Sequence, residues 1–306
     1  MRHQASAGEK PAAAPAQSGF EGRILGAPDG LEIFARDYNP ESLRAVTLLC
    51  LPGLVRTSRD YHALAERYAA RGWRVLCPDY RGRGASARPA DWRHYDVPYL
   101  LGDLLALLTA LEIDRTVAIG TSMGGVLAMA LSVMRPGALA GIVLNDIGPE
   151  VTPGGAARIV DYVSREWRFE DWPAAIAHLR SLFAHGPCRS DDDWAEMAYG
   201  TFILDAEGWL RPHWDPAIGR MLAIQHNDEA TSRQLWAAYR TLATRPALAI
   251  RGMNSDVLSE ETFLKMQANK PDLSVLRVPD VGHTPSLKEP ECLAAIDALL
   301  ARIACE

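Results

Sequence analysis

The stretch Val117-Ala118-Ile119-Gly120-Thr121-Ser122-Met123-Gly124-Gly125 decides how this chain is read. The apolar run Thr116 to Ile119 reads as a buried strand, and Met123 to Met134 reads as a helix that stops at Pro136-Gly137. Between them, Gly120-Thr121-Ser122-Met123-Gly124 satisfies G-x-S-x-G. So short a pattern arises by chance in many proteins, so its placement carries the argument. A serine on a sharp strand-to-helix turn is held in a strained backbone conformation that pushes its hydroxyl outward. The flanking glycines remove the side chains that would collide with strand and helix.

Outward from this turn the text keeps the same rhythm. Val46 to Gly53 is a continuous apolar run closed by Pro and Gly, the pattern of a strand covered on both faces, and Trp73 to Cys77 and Gly141 to Leu144 read likewise. Asp60 to Arg71 and Val97 to Leu111 carry apolar residues at helical spacing. Upstream, strands at Arg23 to Gly26 and Leu31 to Tyr38 flank the turn Pro28-Asp29-Gly30 as a hairpin. Downstream, strands at Ala247 to Gly252 and Leu273 to Val278 alternate with helices at Glu260 to Ala268 and Pro290 to Ile303. Such alternation predicts an α/β fold, a parallel sheet with helices on both faces.

The rhythm breaks between Ile147 and Thr244, where the segments are helical and no buried strand is convincing. Six of the eight tryptophans fall here: Trp167, Trp172, Trp194, Trp209, Trp214 and Trp236. The expectation is one α/β core, residues 22–146 and 245–306, split by a helical cap at 147–244. Residues 1–21 open with an Ala- and Pro-rich stretch that has no apolar run and are expected to be a disordered tail.

Composition sets the outer limits. In 306 residues, 32 basic and 38 acidic side chains leave a net charge of −6, which argues against a general grip on nucleic acid and favours a small-molecule substrate. No run approaches the roughly eighteen apolar residues of a membrane span. A chain of this size hides about three quarters of its extended surface on folding, so its core needs no disulfide or metal staple. The five cysteines, Cys50, Cys77, Cys188, Cys292 and Cys305, are odd in number and include no C-x-x-C pair. That spacing spells neither a disulfide framework nor a zinc site. No metal or cofactor is expected, and a reducing compartment, the cytoplasm, is. Cys50 and Cys77 lie in apolar runs and read as small buried hydrophobes.

A serine is a weak nucleophile at neutral pH and needs a base. The chain supplies an acid and a histidine in the order Ser, Asp, His. Asp256 follows the strand ending at Gly252, and His283 follows the last strand, each in a loop at the carboxyl end of the sheet where such folds place their ligands. Asp146, just after the strand Gly141 to Leu144, is a rival for the acid, and Asp280 lies close in sequence to His283.

At these residues the chain resembles the α/β-hydrolase superfamily, specifically the capped serine hydrolases. The resemblance spans about Gly22 to Ala304. It rests on Leu51-Pro52-Gly53-Leu54, the turn Asp79-Tyr80-Arg81-Gly82-Arg83-Gly84-Ala85-Ser86, the elbow at Ser122, the late Asp256 and the terminal Gly282-His283. It implies a mostly parallel, eight-stranded sheet with an inserted helical cap, and a two-step acyl transfer by Ser122, His283 and Asp256. The N–H groups of Leu54 and Met123 would form the oxyanion hole.

Other features carry a sharp and a bland reading together. Arg56 and Arg59 follow the oxyanion loop, where a guanidinium fork would hold a substrate carboxylate or simply sit at a helix start. The tryptophans would line an acyl pocket or fill a small helical core. Arg81-Gly82-Arg83-Gly84 lacks the P-loop lysine and reads as a tight turn beside the site. The function expected is hydrolysis of a small carboxylic ester. A lactonase or a carbon–carbon bond hydrolase of ring-cleavage products would use the same residues. Cofactor-free haloperoxidase or perhydrolase activity would be a side reaction, and a non-catalytic binding protein on this fold is the reading from another class. The oligomeric state is not readable.

Overall fold

The computed structural model describes residues 11–224 and 229–304. Strands β1 (Glu21–Gly26) and β2 (Glu32–Tyr38) form the expected antiparallel hairpin, with Gly30 at φ 82° in its turn. Then β3 (Thr47–Leu51), α1 (His62–Ala69), β4 (Val75–Pro78), α2 (Val97–Ala110), β5 (Thr116–Thr121), α3 (Met123–Met134) and β6 (Leu139–Asn145) alternate. The inserted region holds α4 (Pro153–Ser164), α5 (Trp172–Leu182), α6 (Asp191–Thr201), the strands β7 (Phe202–Leu204) and β8 (Leu210–Pro212), α7 (Ile218–Ile224) and α8 (Glu229–Arg240). The core resumes with β9 (Ala247–Gly252), α9 (Glu260–Asn269), β10 (Ser274–Val278) and α10 (Pro290–Ala304).

One eight-stranded sheet runs in the order β1-β2-β4-β3-β5-β6-β9-β10, antiparallel at the β1–β2 and β2–β4 pairs and parallel from β4 onward. Strands β3, β4, β6 and β9 are buried at every position, as an unbroken apolar run with helices on both faces requires. Alternate side chains feed two apolar layers. Leu49, Ala118, Ile142 and Ala249 pack with α2, α3 and α9 on one face. Leu48, Cys50, Cys77, Val117, Val143 and Leu248 pack with α1 and α10 on the other. Cys50 and Cys77 are thus buried free thiols, as expected, while Cys305 falls outside the described residues.

Register levels the sheet's carboxyl edge. Thr121 pairs with Asn145, Asn145 with Ile250, and Gly252 with Val278. The next residues along β5 and β6, Ser122 and Asp146, therefore leave adjacent strands at the same height. Among the described residues, no helix is long and apolar enough to cross a membrane.

Three features add to the sequence expectation. Pro11 to Phe20 is not a free tail: Trp172 Nε1 donates to Ala12 O at 2.8 Å, Arg59 Nη1 donates to Pro15 O at 2.9 Å, and the Phe20 and Tyr38 rings meet with centroids 5.4 Å apart. Residues 1–10 lie outside the described residues. The cap contains the antiparallel pair β7–β8, each strand too short for its alternation to show in sequence. Helix α8 belongs with the core layer, where Tyr239 OH donates to Met266 O and Ala238 and Leu242 join α3 and α9.

Candidate active site

Ser122 sits at φ 52°, ψ −118° between β5 and α3, an uncommon conformation for a residue with a side chain. The elbow closes because its glycines are bare. A Cβ on Gly120 would lie 2.4 Å from Gly124 O, and one on Gly124 would lie 2.0 Å from Leu51 O. Tyr61 OH, buried under the turn, bonds to Thr121 Oγ1 at 2.7 Å and lies 3.1 Å from the carbonyl oxygens of Leu51 and Ile119, which share its one proton.

His283 arrives from the loop after β10. Its Nε2 is 2.9 Å from Ser122 Oγ, and its Nδ1 is 2.7 Å from Asp146 Oδ2. Asp146 is fully buried at φ 55°, and its carboxylate accepts two more bonds, from Gly252 N at 2.8 Å and from Ser255 Oγ at 2.6 Å. Such an array lets the imidazole take the serine proton while a buried carboxylate fixes its orientation and tautomer.

The sequence reading took Asp256 as the acid, but the structure brings its rival Asp146, and not Asp256, to within hydrogen-bond distance of His283. Asp256 lies four residues beyond the end of β9, and the loop turns so that Ser255 faces inward while Asp256 faces outward. Arg158 of α4 grips it with two bonds, at 2.5 and 2.8 Å, and the side chain is 45% exposed. Burial opposes its charge, but the Arg158 fork holds the Asp256 carboxyl below its ordinary range. Among the described residues, His283 meets Asp146 and Ser122 and not Asp280. Sequence reading gave Ser255 no part, and a serine in a polar loop carries no signal that it will back a neighbouring carboxylate.

Around Ser122, Gly53 comes so close that a Cβ on it would lie 4.0 Å from Ser122 Cβ. Gly53 O accepts from Arg56 N at 3.1 Å, which turns the Leu54 N–H, on the opposite side of the same trans peptide, away from that bond. Leu54 O accepts from Arg83 Nε at 2.8 Å. Arg83 is itself buried beside Tyr80 and Tyr95, and burial pushes its pKa down to about 10. The Met123 N–H opens α3 immediately after Ser122, at the positive end of the helix.

The turn Arg81 to Gly84 supports this loop through Arg83. The Arg81 guanidinium is buried against Asp103 at 2.5 and 2.7 Å, and Arg83 pairs with Trp214 of the cap through a β-bridge.

A cavity of about 580 Å3 opens onto Ser122 and His283. Leu54, Val55, Ile159, Tyr162, Val163, Phe183 and Met197 supply its apolar wall, and among the described residues no tryptophan lines it. The rings fill the cap instead. Trp214 packs with Val55, Tyr95 and Ile218, Trp167, Trp172 and Trp194 pack around Leu179 and Phe202, and Trp236 reaches back to Glu150 on the core. Arg56 does line the cavity, but Asp60 holds its fork at 2.6 Å through two bonds and Thr201 Oγ1 takes a third. Burial works against its charge, but Asp60 outweighs it and keeps the Arg56 pKa raised. It ties the loop after β3 to α6, with its fork taken up by Asp60. Cys188 also lines the cavity, and burial pushes its thiol up to about 11, so it is no thiolate nucleophile at neutral pH.

With this fold and site in place, the chain belongs to the α/β-hydrolase fold family, whose model matches residues 46–290. It is 31% identical over 273 residues to a 3-hydroxybutyrate-oligomer hydrolase of Cupriavidus necator, covering 87% of this chain and 92% of the relative. It is 24% identical to a 2-(acetamidomethylene)succinate hydrolase of Mesorhizobium japonicum over 80% of this chain and 84% of that one. Among solved structures, an α/β hydrolase from Novosphingobium aromaticivorans superposes with a TM-score of 0.87 at 39% identity, covering 94% of this chain and all of that one.

Proposed function

We propose that this α/β hydrolase is a serine hydrolase that cleaves a small carboxylic ester through an acyl-enzyme, with Ser122 as nucleophile, His283 as base and Asp146 as the acid that orients it. The observation that carries the reading is the unbroken relay from Ser122 Oγ to His283 Nε2 at 2.9 Å and from His283 Nδ1 to Asp146 at 2.7 Å. Ser122 attacks the ester carbonyl as His283 takes its proton. The N–H groups of Leu54 and Met123 receive the developing oxyanion, each such donor being worth about 3–4 kcal/mol of barrier. His283 then returns the proton to the departing alcohol and activates the water that frees the acid.

The ester class is supported by the relative named for 3-hydroxybutyrate oligomers, since a hydroxyl and a carboxyl can join such units only as esters. A cavity of about 580 Å3 suits one short ester and its flanking unit. The four described cysteines are free thiols, and we place the protein in the cytoplasm on that ground. The test is turnover of p-nitrophenyl esters of graded length, a 3-hydroxybutyrate dimer, a lactone and a vinylogous diketone. Esters should lead. Turnover of the diketone alone would replace this reading with carbon–carbon bond cleavage.

A further inference from the structure

The cavity has a wall that belongs to neither core nor cap. Ala16, Gln17 and Ser18 line the same cavity as Ser122 and His283. Their segment is fastened alternately to the two bodies it crosses. Trp172 of α5 donates to Ala12 O at 2.8 Å, and Arg59 of the core donates to Pro15 O at 2.9 Å. Gln17 takes both at once: its Nε2 donates to Glu196 of α6 at 3.3 Å, and its Oε1 accepts from Arg36 of β2. Arg59 closes the node by donating to Glu196 at 3.2 Å. With Pro11 and Pro15 in the crossing, laying the segment over the cavity costs less backbone entropy than it would for a Gly/Ser chain.

We infer that the strap at residues 11–18 is a specificity-determining wall of the substrate cavity, with Ala16 and Gln17 limiting how long a chain the site accepts beside the scissile ester. The inference rests on the ester-hydrolase reading of the same cavity. A wall held by four hydrogen bonds at three of its eight residues, Ala12, Pro15 and Gln17, does not swing aside as a free tail does, so a substrate too long for the cavity meets the strap and not water. The small side chain of Ala16 fixes where that limit falls.

Two variants move the limit in opposite directions. Deleting residues 1–18 leaves Phe20 on Tyr38 and opens the wall, while Ala16→Trp in the full chain thickens it. The readout is the ratio of kcat/KM for p-nitrophenyl octanoate to that for the acetate. The deletion should raise the ratio by about tenfold or more, and Ala16→Trp should lower it by a similar factor, the scale on which a pocket wall discriminates chain length. Ratios within about twofold of wild type for both, or shifted the same way in both, overturn the inference. If the deletion does not fold, Ala16→Trp alone decides. The Kd of octanoate relative to butyrate, measured in a Ser122→Ala background, gives the same comparison without turnover. A shift there in an enzyme that cleaves no ester keeps the strap and discards the ester reading.

Discussion

Asp146 Oδ2 stands 2.7 Å from His283 Nδ1, and Asp146 leaves β6 at the same height at which Ser122 leaves the neighbouring β5. The positions of Asp146 and Ser122 are thus set by the register of two adjacent strands, and the loop carrying His283 bridges them from β10.

Exchange of the two candidate acids separates their roles. Asp146→Asn should cost about 10³- to 10⁴-fold in kcat with the fold intact, because the amide no longer holds the productive imidazole tautomer. Asp256→Asn should stay within a few-fold of wild type. Steady-state kinetics on one ester, with circular dichroism of each variant, decides it, and an inactive Asp256→Asn beside an active Asp146→Asn would return the role to Asp256.

Ser255 tests the support beneath that acid. Its hydroxyl donates to Asp146 Oδ2 at 2.6 Å, and a hydrogen bond to a charged group contributes about 1.5–3 kcal/mol. Ser255→Ala should lower kcat by roughly ten- to a hundredfold with little change in KM. An unchanged kcat would show that Gly252 N alone holds the carboxylate.

Asp256 instead latches α4 to the core through Arg158, and its sign with pH follows from its depressed pKa. A carboxylate lowered in the folded state stabilises above its unfolded pKa of about 4 and loses that contribution as pH falls through the folded value. Wild type should melt above Asp256→Asn at pH 7 by an amount worth no more than about 1 kcal/mol, since the pair is half exposed. The two Tm curves should converge on acidification below about pH 4. Parallel curves down to pH 3 would deny the latch.

Gly124→Ala should damage the elbow directly. The added carbon would lie 2.0 Å from Leu51 O and 2.8 Å from Pro52 O, both backbone atoms that cannot rotate away. A loss of about 3 kcal/mol or more is expected, read as a Tm fall of roughly 5–10 °C. Gly154→Ala, with nothing within 4 Å, should be neutral or slightly stabilising.

The core was legible because parallel strands buried on both faces leave unbroken apolar runs, and the elbow because only glycine fits at 120 and 124. His283 was legible as the histidine in the loop after the last strand, and that loop carries it to Ser122. The aspartate beside His283 was not legible because two strand ends each offer one, and which of Asp146 and Asp256 meets the histidine depends on how the β9 loop turns Ser255 inward. Asn145-Asp146, two polar residues closing a fully buried strand, held that signal. The strap was invisible for the opposite reason. Its composition is that of a disordered tail, and what orders it is a set of distant partners, Arg36, Arg59, Trp172 and Glu196, that no local pattern announces.

The central claim, that Ser122 is a nucleophile activated through His283 and Asp146, is tested most directly by the intact mass of the protein after exposure to a fluorophosphonate. The account expects a single adduct on Ser122, absent in Ser122→Ala and strongly slowed in His283→Ala and Asp146→Asn. A folded wild-type protein that takes up no adduct, or one whose adduct forms equally fast without His283, would contradict it.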